Sequence, residues 1–236
     1  MPSTGISALD KLLEGEGYPD RSESLTLPRA FPNAYLETDE THRRSLAETV
    51  LASVAMAGIG YLGLVILLLS LFTTGYSPIT QVASDYGVGT YASEMNAGFL
   101  AAGIGTISLA TAGLLDMERR SARAGSLLLF PAGVALVLNA FYQTDIEGAV
   151  NTFHGTIHGI GGLVFFFTTP VALLLVGYGP GGRRFAVTVL AVALGVSSLV
   201  LDAVLALGAA GFAERIMILV LFSCMILTAL RILRDA

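Results

Sequence analysis

The chain has 236 residues, of which 54% are hydrophobic and 13% are charged. Soluble domains carry about 25% charged residues, so this composition excludes an ordinary soluble globular protein. The net charge is −5, and the sequence holds no stripe of Lys and Arg that could neutralise phosphates. Nucleic acid is therefore excluded as a partner.

Residues 1–45 differ from the rest of the chain because they are polar, acidic and rich in proline. Such a composition is typical of a cytoplasmic tail that is partly disordered. Ile6, Leu9 and Leu12 share one face of a predicted short helix. Docking of this tail on a protein partner is the alternative to an unstructured tail.

Six apolar runs are long enough to cross a lipid bilayer. A spanning helix needs about 20 residues, because the hydrocarbon core is ~30 Å thick and each residue rises ~1.5 Å. In lipid the backbone polar groups must be paired within the segment, so the runs predict helices. We predict an all-α, polytopic membrane protein in which residues 46–236 form a six-helix transmembrane bundle. The six predicted spans are 47–73, 94–116, 125–142, 152–178, 185–208 and 211–233.

Arginine placement predicts the orientation of these spans. Arginines precede the first span, lie between the second and third and between the fourth and fifth, and end the sixth. The alternate loops carry almost none, with Arg215 as the exception. Because positive loops stay in the cytoplasm, both chain ends are predicted to be cytoplasmic, in the plasma (inner) membrane of a prokaryote.

Ionisable residues converge on the outer side in this topology. His154 and His158 lie in the first two turns of the fourth span, and Asp202 lies inside the fifth. A charged side chain in lipid costs ~2.5–3.5 kcal/mol on insertion scales, so Asp202 is expected to face a partner or a site. Residues four apart share one helix face, about 6 Å apart along the axis.

The histidine pair suits two ligands of one zinc ion, with carboxylates from other helices completing the shell. It lacks the glutamate that makes the metalloprotease helix motif specific. Hydrogen bonding between helices and a role in proton handling are the alternatives for His154 and His158. Cys224, inside an apolar run, is predicted to pack between helices.

The first outer loop is predicted to hold a short interfacial helix of about two turns. Ser77 and Pro78 form a helix-start signal, and Gly87 and Gly89 stop it. This helix would place Ser84 and Asp85 near the histidines.

Three more acidic residues lie on the outer side. Asp145 belongs to the second outer loop, and Glu94 and Glu214 begin the second and sixth spans. For both glutamates we predict solvated positions at the helix ends.

Four short motifs carry a resemblance to a known family. They are YSPITQVASDYGVG, MNAGFLAAG, TDIEG and HGTIHG. Together they resemble a prokaryotic membrane family of unknown function, domain-of-unknown-function family nine hundred and ninety-eight. The likeness runs from the first span to the sixth. That family reads Phe-Pro-Thr-Asp before its histidine helix, whereas here Phe141 is followed by Tyr142, Gln143, Thr144 and Asp145, so the aspartate is kept without the proline.

A looser likeness links the chain to membrane hydrolases that include alkaline ceramidases and progestin/adiponectin-type receptors. Those proteins use a serine, an aspartate and three histidines around zinc in a bundle of seven helices. The likeness implies catalytic roles for Ser84 and Asp145, with Asp85 as a further candidate. It implies zinc ligation by His154, His158 and Asp202.

Three functions compete on this basis. The first is a zinc-dependent hydrolase that acts on a membrane lipid at the outer leaflet. The second is a non-catalytic subunit or assembly factor, which the acidic tail and the glycine-rich helix faces favour. The third is a proton-linked carrier that uses Asp202 and the histidines.

Overall fold

The computed structural model describes residues 31–116, 119–146, 150–177 and 208–236, and of residues 31–41 it describes the backbone only. Two compact units divide the chain, residues 1–41 and residues 42–236. The described residues form five α-helices and one short 3₁₀ helix, Ala83–Gly87. The α-helices are α1 Phe31–Phe72, α2 Ala92–Asp116, α3 Arg120–Phe141, α4 Phe153–Gly177 and α5 Ala210–Asp235.

All five helices are long and apolar enough to cross a membrane, with mean hydropathy between 1.7 and 2.6; in α1 this part is His42–Phe72. A multi-pass, all-α membrane protein is thereby confirmed. The membrane-spanning parts match the predicted spans to within about five residues at each end, although α1 itself begins earlier, at Phe31. Of the predicted span at 185–208 only Gly208 is described, so the described residues hold five of the six predicted helices.

Sequential helices pack antiparallel through glycines at which the backbones nearly touch. A Cβ atom added to Gly58 of α1 would lie 2.1 Å from the carbonyl oxygen of Ala101 in α2. One added to Gly103 of α2 would lie 2.6 Å from a methyl group of Val137 in α3. Without a hydrophobic driving force in lipid, close packing of this kind is what holds helices together.

The pairs α3–α4 and α1–α5 are antiparallel as well. A Cβ atom added to Gly125 of α3 would lie 2.5 Å from the carbonyl oxygen of Ala172 in α4. The last helix, α5, runs antiparallel to α1, because the Ser45 hydroxyl donates to the Ala236 carbonyl at 2.7 Å while Arg215 bonds Ser70 near the other end.

The bundle therefore has two distinguishable ends. One, the loop end, holds the connection from α1 to α2, the connection from α3 to α4, and the first turn of α5. The other, the terminal end, holds Ser45, the start of α3, the end of α4 and Ala236. Between them, apolar side chains such as Leu62, Leu109 and Met217 are fully buried.

Replacement of Gly58 with alanine should destabilise the bundle, because the new methyl group would meet backbone atoms of α2 that cannot move aside. Overpacking of this kind typically costs ~1–3 kcal/mol. Gly60→Ala is the matched control, since its Cβ atom would meet nothing within 4 Å. Thermal unfolding in detergent micelles should show a lowered midpoint for Gly58→Ala only; equal midpoints for the two variants would contradict the packing.

Candidate functional site

A cavity of about 300 Å³ lies near the loop end of the bundle. All five α-helices and both loop-end connections contribute to its walls. The described polar residues that line it are Ser84, Asn139, Thr144, His158 and Glu214. Those that line it otherwise are Leu62, Ile66, Val82, Ala83, Met95, Phe99, Leu136, Gly159, Gly162, Leu163, Phe165, Phe166, Ile218 and Phe222. Apolar walls with a few polar groups are typical of a small-molecule site.

His158 is held in one orientation by the chain that precedes α4. Its ring is buried, and Nδ1 lies 2.9 Å from the carbonyl oxygen of Tyr142. A carbonyl oxygen can only accept, so in the neutral ring Nδ1 carries the hydrogen and Nε2 keeps its lone pair. Phe99 packs edge-on against the ring at 5.6 Å between centroids. Nε2 is thus the atom of His158 that can accept a proton or bind a ligand.

Asn139 supports the backbone of His158 from α3. The residue is only 3% exposed. With its amide nitrogen facing α4, it donates to the carbonyl oxygens of Ala135 and His158, both at 3.3 Å. The close approach depends on Gly161, where an added Cβ atom would lie 2.2 Å from the Asn139 amide. Sequence reasoning missed Asn139, although a lone amide within an apolar run was a signal.

Glu214 is buried, which corrects the prediction of a solvated helix end. Only 9% of the residue is exposed. Its carboxylate accepts a hydrogen bond from the backbone N–H of Ala83, across 131 residues of chain. A buried carboxyl group is costly unless it is hydrogen-bonded. Because the α1–α2 connection folds over the start of α5, Glu214 lies beneath this connection and not in solvent.

Arg215 fixes the same connection, residues 76–87, which we call the roof loop. The guanidinium group lies 5.8 Å from the Tyr86 ring centroid. It donates four hydrogen bonds, to the Ser70 hydroxyl at 3.0 Å and to the carbonyl oxygens of Pro78 at 3.0 Å, Gln81 at 2.8 Å and Gly211 at 2.9 Å. Arg215, the exception among the predicted arginine-poor loops, is therefore a structural clasp.

The predicted two-turn helix from Ser77 is wrong. The roof loop makes one turn, in which the Gln81 N–H donates to Ser77 at 2.9 Å, and then a 3₁₀ helix over Ala83–Gly87. The reason is that Arg215 takes the carbonyl groups of Pro78 and Gln81 that a continuing helix would use. Gly89 then adopts a φ of 84°, which favours glycine.

Two tyrosines stabilise the roof loop from within. The rings of Tyr76 and Tyr86 lie 4.1 Å apart, and the Tyr76 hydroxyl donates to the Val82 carbonyl. Burial, followed by the Asp85 carboxylate, raises the pKa of the Tyr76 hydroxyl above its usual value. The hydroxyl therefore stays protonated and keeps its hydrogen bond at neutral pH.

Of the predicted site residues, the structure brings Ser84 and His158 into the same cavity. Asp85 is half-buried in the 3₁₀ helix and does not belong to the described lining. His154 is exposed, and its ring lies 5.2 Å from that of Tyr142. The two histidines thus occupy different environments although they are one turn apart.

Asp145 caps the start of α4. One carboxylate oxygen accepts from the Thr152 N–H at 2.8 Å and the other from the Thr152 hydroxyl at 2.7 Å. These two hydrogen bonds lower the pKa of the Asp145 carboxyl. Both oxygens are engaged in organising the α3–α4 connection, which carries the Tyr142 carbonyl that orients His158.

Among the described residues, no three His, Cys, Asp or Glu side chains lie close enough together to hold a metal ion. Asp202, one of the predicted zinc ligands, lies outside the described residues. Zinc binding by His154, His158 and Asp202 therefore stays a prediction.

Loss of the arginine clasp should release the roof loop. Arg215→Gln removes most of the hydrogen bonds to Pro78 and Gln81, so chymotrypsin should cleave after Tyr76 or Tyr86 at least about tenfold faster, since local opening exposes these bonds. Arg231→Gln is the matched control, because Arg231 is exposed and its ion pair with Asp235 lies at the other end of α5. Cleavage of Arg215→Gln at the wild-type rate would contradict the clasp.

Titration of the Asp145 carboxyl group should reveal its two hydrogen bonds with Thr152. In carboxyl-labelled protein, NMR should give a pKa below the ~3.9 of an unperturbed aspartate, and Thr152→Val should raise it part of the way back. Because folding lowers the pKa of Asp145, its hydrogen bonds with Thr152 contribute their full stabilisation at pH values above the pKa of the unfolded chain. This stabilisation is lost as the pH falls through the pKa of the folded protein. An unchanged pKa in Thr152→Val would show that the hydroxyl bond does not form.

The comparisons with known proteins agree with the motif resemblance. A family model described as a protein of unknown function, DUF998, matches residues 41–231, which include most of every described helix. No curated protein and no solved structure is significantly similar to the chain. The predicted family is confirmed: the chain belongs to the DUF998 family of membrane proteins.

Proposed function

We propose that the chain is a lipid hydrolase-like membrane enzyme whose site is the cavity beneath the roof loop. One observation carries the proposal. His158 is tied through Nδ1 to the Tyr142 carbonyl, which leaves Nε2 as the acceptor in a largely apolar cavity that Ser84 also lines. An imidazole oriented by a hydrogen bond on its other nitrogen is the usual form of a general base.

Hydrolysis of an ester in this cavity would use few groups. Nε2 of His158 takes a proton from a water molecule as its oxygen attacks the ester carbonyl carbon. The C–O bond to the alcohol then breaks, and the imidazolium returns the proton to the leaving oxygen, so a fatty acid and an alcohol result. Ser84, which lines the same cavity, would donate a hydrogen bond to the ester oxygen that matters most as charge develops on it.

The proposal places the cavity on the non-cytoplasmic side of a prokaryotic plasma membrane. Arg44, Arg119, Arg120 and Arg231 cluster toward the terminal end, and positive charge marks the cytoplasmic side. Arg215, at the loop end, is engaged by the roof loop.

The sixth span proposed at residues 185–208 is supported by the two described helices that flank it in the sequence. The helix before it, α4, ends at the terminal end, while the helix after it, α5, begins at the loop end, so the chain between them must cross the bundle once more.

Among the described residues, His158 is the predicted zinc ligand that lines the cavity, so zinc would enter the proposed reaction through this residue. A zinc ion at Nε2 would lower the pKa of a bound water toward ~7 and supply the same attacking group. Metal analysis of the purified protein separates the two versions. One equivalent of zinc that is lost in His158→Gln supports the metal version, and less than about a tenth of an equivalent supports the metal-free base.

The proposal predicts esterase activity that depends on one of two neighbouring histidines. With a chromogenic decanoyl ester in detergent micelles, His158→Gln should lower kcat by about 100-fold or more, the usual worth of a general base. His154→Gln is the matched control: it changes an exposed ring one turn away and should leave kcat within about twofold. Wild-type protein without activity on esters and amides, or equal losses in both variants, would contradict the proposal.

A further inference from the structure

We infer that the cavity selects a single-chain amphiphile with an uncharged, hydrogen-bonding head group, of the monoacyl polyol class. The inference rests on the proposed function for the identity of the site, and it adds the class of substrate. Its basis is the position of the polar groups along the cavity, the lack of a cation in the described lining, and the cavity's size.

The polar lining residues lie toward the loop end, and the deeper lining is apolar. On α4, His158 lies toward the loop end and Phe166 eight positions further in. On α5, Glu214 and Phe222 repeat the same spacing. At ~1.5 Å per residue, each pair spans about 12 Å of depth. A ligand that matches this order has a polar head beneath the roof loop and an alkyl chain that points into the bundle.

Among the described residues, the cavity lacks a cation that would pair with an anionic head group. Glu214 contributes a carboxyl group, and no Lys or Arg belongs to the lining among the described residues. The nearest cation along the chain, Arg215, directs its hydrogen bonds to Ser70 and to carbonyl oxygens of the roof loop and Gly211. A phosphate or carboxylate would therefore be desolvated beside a carboxyl group and without a cationic partner, which is costly. Hydroxyl groups could instead bond Ser84, Asn139 and Thr144.

The size and position of the cavity favour one chain taken from the lipid phase. A volume of about 300 Å³ corresponds to roughly ten water molecules at ~30 Å³ each, which suits one short alkyl chain and not two. On α4 the lining reaches the surface of the described bundle, because Gly159 is exposed and Leu163 is 61% exposed. Glycine at 159 and 162 leaves this wall without side chains in the path of an alkyl group.

Alkyl glycerol ethers, which have no ester bond to hydrolyse, test this inference through binding alone. Native mass spectrometry of the full chain in nanodiscs would compare decyl glycerol ether, its anionic phosphate ester and a didecyl glycerol ether. We expect the neutral single-chain probe to bind at least tenfold tighter than either of the others. Gly162→Leu should abolish binding by filling the cavity, while Gly60→Leu, on α1 and outside the cavity lining, should bind normally.

A second variant keeps the test decisive if Gly162→Leu fails to fold. Glu214→Gln removes the carboxylate, so the preference for the neutral probe over the anionic one should shrink severalfold. Equal or tighter binding of the anionic or the two-chain probe by wild-type protein would overturn the inference. If the neutral ether binds as expected but no ester is cleaved, the proposed hydrolysis fails and the head-group selectivity stands.

Discussion

The attachment of the roof loop to α5 is the constraint on which the loop end of the bundle depends. Arg215 donates to backbone carbonyl groups of the roof loop, and Glu214 accepts from the N–H of Ala83. Adjacent side chains thus satisfy both donors and acceptors of a segment that has little regular structure of its own. Buried backbone groups without partners would be costly, so the cavity exists only because this loop is held across it.

The helices beneath the loop supply a scaffold in which positions are set by backbone contact. Gly58, Gly103 and Gly161 bring neighbouring helices so close that a methyl group would not fit. Contacts of this kind leave little freedom for helices to slide. The Asn139 amide, the Tyr142 carbonyl and the His158 ring consequently keep a fixed relation, and a fixed base with one free nitrogen is what general base catalysis requires.

The five described helices could be predicted from hydropathy alone, since the length of an apolar run is set by bilayer thickness. The family could be predicted from the motifs around Ser84, Asp145 and His158. Glu214 could not be placed, because its burial results from a loop more than a hundred residues away in the sequence. The same holds for His154 and His158: helical spacing puts them near each other, but only the packing of α3 and α4 buries one and exposes the other.

The proposed role of His158 as a general base depends on the tautomer of its ring. NMR of isotope-labelled histidine nitrogens measures this tautomer most directly. The chain has three histidines, so the signal of His158 can be assigned from its loss in His158→Gln. At neutral pH we expect Nδ1 to carry the hydrogen and Nε2 to show the shift of an unprotonated nitrogen. A hydrogen on Nε2 with Nδ1 bare would contradict the bond to Tyr142 and, with it, the proposed base.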